Sequence, residues 1–278
     1  MTPRARTQVR LVALSAAALL LAACGSSGSS STTSPSATSS SGMGTPSSTA
    51  SSTSSGTDQV LPAPPAGTAT TTQVPPKAVT PPSGIEGLLA WDTAGYPGPG
   101  TPGPGTLAHD HVDGPVVYAV LPPVGGPHAP VWMNAGVYTA PVPSECAVHD
   151  LEHGAVWITY DPSLPADQVA ALTAFVSRQS LIPEAGEGSA SGQANRYVVM
   201  SPWATSELPS PIGISSWGYQ LRVQSPTDPR LQQFVDTFRS SATYSPENGS
   251  PVDGIPIGTG GRAASNGGAV PNPEGTVG

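Results

Sequence analysis

The chain predicts an α+β fold: a single domain with helices packed on a mixed sheet, between two low-complexity flanks. Two observations carry this prediction. Apolar residues recur at period 2 and at period 3.6 in alternating blocks, giving the order β-α-β-α-β-β-α. These blocks fall between Ile85 and Tyr244, because residues 25–84 and 245–278 have no periodic apolar pattern. The remaining stretch of about 160 residues is long enough for one sizeable core.

The first part of that stretch, Gly87 to Gly114, is rich in Gly and Pro and reads as irregular, with Trp91 and Tyr96 as anchors. Val116–Leu121 is a β-rich run stopped by Pro122-Pro123, and Val131–Thr139 reads as extended. Ser144 is placed to N-cap a short helix from Glu145 to His153, with Gly154 as its stop. Val148 and Leu151 lie on one side of it, and Glu145, His149, Glu152 and His153 on the other. Ala155–Tyr160 reads as a buried strand ended by Asp161-Pro162. Pro165–Arg178 follows as an amphipathic helix with Val169, Leu172, Phe175 and Val176 as its stripe. Arg196–Met200 and Ile214–Val223 are the next strands, the second with Trp217, Tyr219, Leu221 and Val223 on one face. Asp228-Pro229 opens the last helix, striped by Leu231, Phe234, Val235 and Phe238. A thioredoxin-like arrangement fits this order, although no Cys-x-x-Cys is present. A ferredoxin-like sheet is the nearest competitor, and element order does not separate the two.

Residues 1–24 read as a targeting segment. Arg4, Arg6 and Arg10 precede the 13-residue apolar run Leu11–Ala23, the length of a signal-peptide core and too short for a spanning helix. Leu21-Ala22-Ala23-Cys24 looks like a lipobox, which makes Cys24 the expected lipidated N-terminus; simple secretion is the plainer alternative. The expected location is the extracytoplasmic side of a membrane, with the lipid at Cys24 as the membrane contact. Residues 25–84, with Asp58 and Lys77 as their only charges, read as a disordered tether spanning roughly 40–45 Å. Residues 245–278 read as a disordered tail.

Between Ile85 and Tyr244 there are 14 acidic residues against five arginines and no lysine. That balance excludes a phosphate-backbone partner, so nucleic acid is not expected. No protein partner is legible. With Cys24 assigned to lipid, Cys146 is the one remaining thiol, so no intramolecular disulfide is expected and Cys146 reads as buried.

All five histidines fall between His109 and His153. His149 and His153 stand at i, i+4, the spacing that lets two imidazoles on a helix reach one metal ion. His149-Asp150-Leu151-Glu152-His153 also fits the H-x-x-E-H pattern of inverted zincins, in which the Glu is the general base. A short helix running into a strand is a poor scaffold for such a protease. The candidate ligands are His128, His149 and His153, with His111 or a carboxylate such as Glu152, and the metal they suit is zinc or copper. Met133 and Met200 are too few for a methionine-rich copper carrier. The plain alternative is a hydrogen-bonded histidine network that ties loops to the helix. If a metal is held, binding weakens as the histidines protonate below about pH 6.

The segments Pro122-Pro123-Val124-Gly125-Gly126-Pro127-His128, Trp132, Gly136-Val137-Tyr138, Pro141-Val142-Pro143 and His149-x-Leu151-Glu152-His153-Gly154-Ala155-Val156-Trp157 resemble the DUF3105 family, bacterial envelope proteins of unknown function. The resemblance spans about Ile85–Tyr244, and His111-Val112-x-Gly114 is similar to a further family segment, which leaves His109 as the odd histidine. It implies an envelope location and makes His111, His128, His149, Glu152 and His153 the site residues. It also implies a disulfide in relatives that is missing here, since Ala135 stands where they carry Cys and no Cys follows Cys146. The function expected is a lipid-anchored, non-enzymatic binding module with a histidine pocket that holds a transition metal. The alternative is a metal-dependent hydrolase using Glu152.

Overall fold

A computed structural model describes residues 66–82, 84–94, 106–184, 194–205 and 208–255. Along the chain these form β1 (Thr71–Thr72), β2 (Ala78–Val79), β3 (Leu89–Trp91), β4 (Val116–Val117), β5 (Gly136–Val137), α1 (Ser144–Glu152), β6 (Val156–Tyr160), α2 (Ala166–Arg178), β7 (Ile182–Pro183), β8 (Ala194–Asn195), β9 (Val198–Pro202), β10 (Ile212–Ser216), β11 (Tyr219–Val223) and α3 (Arg230–Phe238). Seven strands make one sheet in the order β2-β3-β11-β10-β6-β9-β5. It is mixed: β6 pairs with β9, and β9 with β5, in parallel, while every other pairing is antiparallel.

β6 and β9, joined through α2, lie side by side, whereas a ferredoxin-like sheet places another strand between such partners. The unit β6-α2-β9-β10-β11-α3 therefore has the strand order of a thioredoxin-like sheet, extended by β3 and β2 on one side and β5 on the other.

Alternation along β6 shows how the layers form. Val156, Ile158 and Tyr160 join the core under α2 and α3, with Leu172, Phe175, Leu231, Phe234 and Phe238. Trp157 points the other way, into a second core with Val148 and Leu151 of α1. Both faces are thus covered, which explains why every residue of β6 is buried. The stripe expected for α3 is fully buried; Pro229 rather than Asp228 stands at its N-cap, and Asp228 Oδ1, one residue earlier, accepts the Arg230 N–H at 2.9 Å.

Several expectations need correction. Ile214–Val223 is not one strand but the hairpin β10/β11, turning at Trp217-Gly218, where Gly218 takes up a φ of +78°. The turn sends Trp217 into the α1 core, away from Tyr219, Leu221 and Val223. Of Val116–Leu121 only Val116–Val117 is a strand, paired with β1 outside the main sheet, and Val131–Thr139 contributes only the edge strand β5. The irregular run after Gly87 contains β3, with Trp91 packed on the α1 core; Tyr96 lies outside the described residues. Pro143, not Ser144, stands at the N-cap of α1, which has no side-chain cap.

The ordered fold is also longer than composition suggests at both ends. Residues of the expected tether pair as β1 and β2, and Gln73 is buried among the loops of the domain. Beyond Tyr244 the chain continues to Ile255 as a strap, with the Ala135 N–H bonded to the Val252 carbonyl and the Trp132 Nε1–H to the Asp253 carbonyl. Backbone hydrogen bonding, invisible to composition, holds both pieces. Cys24, the rest of the tether and the tail beyond Ile255 lie outside the described residues. Among the described residues no helix is long and apolar enough to cross a membrane.

Candidate metal centre

The C-terminal half of α1 supplies the centre of the site. All seven residues from Cys146 to Glu152 are buried, so the helix has no solvent face. Its apolar side packs on β6, and its polar side, His149 and Glu152 with the following His153, meets three loops. Gly154 ends the helix at a φ of +103°, a conformation that disfavours any side chain.

Two loops come from upstream. At Gly125 and Gly126, with φ of +135° and +121°, the chain folds back and delivers His128. An added Cβ on Gly126 would displace the Gln73 amide, and the positive φ itself disfavours a side chain there. The second loop runs beside the first through an isolated parallel bridge between His111 and His128, with the Val112 N–H bonded to the His128 carbonyl at 2.7 Å. The third is the strap at 245–255.

The histidine tautomers are set by the backbone. His128 Nδ1 lies 2.8 Å from the Gly126 carbonyl, His149 Nδ1 2.7 Å from the Ala129 carbonyl and His153 Nδ1 2.6 Å from the Pro251 carbonyl. A carbonyl only accepts, so each Nδ1 carries the hydrogen and each Nε2 of the neutral ring keeps its lone pair. Those three Nε2 atoms then face electron-rich neighbours. His149 Nε2 is 2.9 Å from His153 Nε2, and His128 Nε2 is 2.8 Å from Glu152 Oε2, where it is not aligned for a hydrogen bond. Lone pairs at these distances repel unless a proton or a metal cation lies between them. One ligand atom each from His111, His128, His149 and Glu152 fall within 4.8 Å of one another.

Metal geometry can be compared with these spacings. Bonds of about 2.0–2.1 Å put two donors about 3.3 Å apart at the tetrahedral angle and about 2.9 Å apart at a right angle. The His149–His153 separation matches a right-angle pair, and small side-chain rotations would gather the looser four-donor group. Trp132 packs against His149 and His153 with ring centroids 5.6 and 5.2 Å away, and Trp217 against His109 and His128 at 4.9 and 6.0 Å. These indoles wall the site.

At His149 electrostatics favour neutral imidazole over imidazolium. Burial, followed by the neighbouring His153 and His128, holds the His149 pKa well below its usual value. His149 therefore keeps a metal-competent lone pair to lower pH than the about pH 6 expected from an ordinary histidine. Burial raises the Glu152 pKa, but the His109 and His128 side chains against its two oxygens outweigh it, so the carboxyl sits well below the usual range. Glu247 approaches His153 Nε2 at 3.5 Å, and its pKa is lowered by that contact.

Four of the five residues singled out in the sequence come together, His111, His128, His149 and Glu152, while His153 stands outside that group and borders it through His149. His109, the odd histidine by resemblance, is there too, with its Nδ1 2.8 Å from Glu152 Oε1. The signal was available, since i, i+2 positions on an extended chain share a side. Gln73, Trp132, Trp217 and Glu247 had no comparable signal. Cys146 is buried in the apolar core beside α1, as expected, and Met133 and Met200 fall in separate cores.

A family model described as "Protein of unknown function (DUF3105)" matches residues 109–254, more than half of the 278-residue chain. No curated protein and no solved structure matches it.

Proposed function

The chain belongs to the DUF3105 family of proteins of unknown function, and we propose that it is a lipid-anchored extracytoplasmic module that holds a transition metal, zinc or copper, in its histidine pocket. The observation that carries this reading is the tautomer pattern. Three buried histidines are bonded through Nδ1 to backbone carbonyls, which turns the Nε2 of each neutral ring inward: those of His149 and His153 toward each other, and that of His128 toward the Glu152 carboxylate. Metal-bound histidine uses the same device, with its second ring nitrogen donating to a carbonyl or carboxylate. The donor set of imidazole nitrogen with one carboxylate suits zinc or copper(II).

Elemental analysis of the purified full chain, beside a His149→Ala/His153→Ala double variant, tests the metal. The wild type should carry or take up one zinc or copper ion, and the variant should not. A folded wild type that takes up neither metal would leave the plain histidine network as the answer. For the anchor, the basic run, the short apolar stretch and Cys24 support lipidation. Cys24→Ala should lose acyl labelling and move the protein out of the membrane fraction; an unlabelled wild type with unchanged fractionation would sink that part.

The hydrolase alternative has less physical support. A general base works best with a pKa near the operating pH, and the Glu152 carboxyl is held well below that with His109 and His128 against its oxygens.

A further inference from the structure

Of the four donors that converge, His128, His149 and Glu152 are buried, while His111 is exposed. His111 also stands on the wall of a cavity of about 360 Å³, which Thr72, Val74, Ala108, Asp110 and Val112 help to line. We propose that His111 is the exchangeable ligand of the metal centre, and that a small, neutral organic molecule with a nitrogen donor enters through this cavity and takes its place. This inference rests on the metal reading above.

The cavity has the size of a small-ligand pocket and leads to a single corner of the donor cluster. Its walls carry methyl and methylene groups together with hydroxyls, which suits a compact, weakly polar body. Asp110 is among the lining residues, and the stretch from Ile85 to Tyr244 carries 14 acidic residues against five arginines, so carboxylates, phosphates and thiolates approach a surface of like sign. A neutral nitrogen heterocycle does not. In the exchange the incoming nitrogen donates its lone pair to the metal as the His111–metal bond breaks; no proton or electron is transferred. His128 and His149 cannot leave as readily, because both rings are buried whereas His111 is exposed.

The test uses the full chain loaded with cobalt(II), whose visible bands report coordination, and imidazole as the probe. Imidazole should shift the bands saturably in the wild type. His111→Ala should keep its cobalt affinity within about tenfold and bind imidazole about tenfold more tightly or better. Thr72→Trp, at an exposed wall position, should weaken imidazole by about tenfold and leave cobalt binding alone. Acetate should bind more weakly than imidazole, and Asp110→Asn should narrow that gap. Cobalt uptake with no imidazole response in either the wild type or His111→Ala overturns the inference while leaving the metal reading intact. The same holds if His111→Ala loses cobalt as completely as His149→Ala, or if Thr72→Trp binds imidazole normally. A chain that takes up no cobalt, zinc or copper overturns the metal reading and this inference with it.

Discussion

Replacing Gln73 with alanine would remove two hydrogen bonds that anchor the segment ahead of the core. Gln73 Nε2 donates to the Gly125 carbonyl at 2.7 Å, and its Oε1 accepts the Ala119 N–H at 3.0 Å. Gly125 is buried, so its carbonyl would be left unpaired at a cost of about 1–3 kcal/mol. Ala119 is exposed and water can replace its partner, which limits that loss to about 1 kcal/mol. The sum, about 2–4 kcal/mol, stands well clear of the roughly 0.5 kcal/mol expected for a residue in a free tether. Urea unfolding of the full chain should show the midpoint falling at constant slope. Metal affinity should fall with it, by about 10–100-fold, because Gly125 and Gly126 position His128 and set its tautomer. A stability change below about 0.5 kcal/mol would refute the assignment of this segment to the fold. Lost stability with unchanged metal affinity would reduce Gln73 to a structural brace.

Stripping metal from the wild type should lower its Tm. Free metal at a hundred times its Kd stabilises by about 2.7 kcal/mol. For a domain of this size that is roughly 5–10 °C by calorimetry; a His149→Ala/His153→Ala variant with the same response to chelator would contradict the assignment. Burial, then the nearby Asp253, raises the Glu184 carboxyl to about 7, so the folded state holds that proton more tightly than the unfolded chain. Its contribution is complete below the ordinary value of 4.5 and is lost as pH rises through about 7. The Tm of Glu184→Gln relative to wild type should therefore climb across that window, and a flat difference would argue against the shift. Phe234 of α3 is fully buried, with its ring 4.6 Å from that of Phe238. Phe234→Ala should cost about 3–5 kcal/mol in urea unfolding without altering metal stoichiometry; a loss under about 1 kcal/mol would mean that α3 does not close the core as described.

Local sequence determined the elements whose signals are themselves local. The period of Leu231, Phe234, Val235 and Phe238 fixes α3, Asp228-Pro229 fixes its start, and unbroken apolar character makes β6 a strand buried on both faces. The i, i+4 spacing of His149 and His153 likewise fixes two ligand candidates on one side of α1. Tertiary structure alone decided the rest, because it depends on long-range backbone pairing. Gln73 and the strap at 245–255 look like linker by composition, yet their hydrogen bonds to Gly125, Ala119, Ala135 and His153 make them part of the domain. The hairpin at Trp217-Gly218 shows in the sequence only as the paired Ser215-Ser216 that shifts the apolar alternation by one residue, since one glycine at positive φ is enough to reverse the chain. Tautomers were beyond the sequence for the same reason: which nitrogen of His128, His149 or His153 keeps its lone pair is set by carbonyls at Gly126, Ala129 and Pro251, and the last is 98 residues from its histidine. Histidines are written in the chain, but only the fold that surrounds them with acceptors decides which ring nitrogen each turns toward its neighbours.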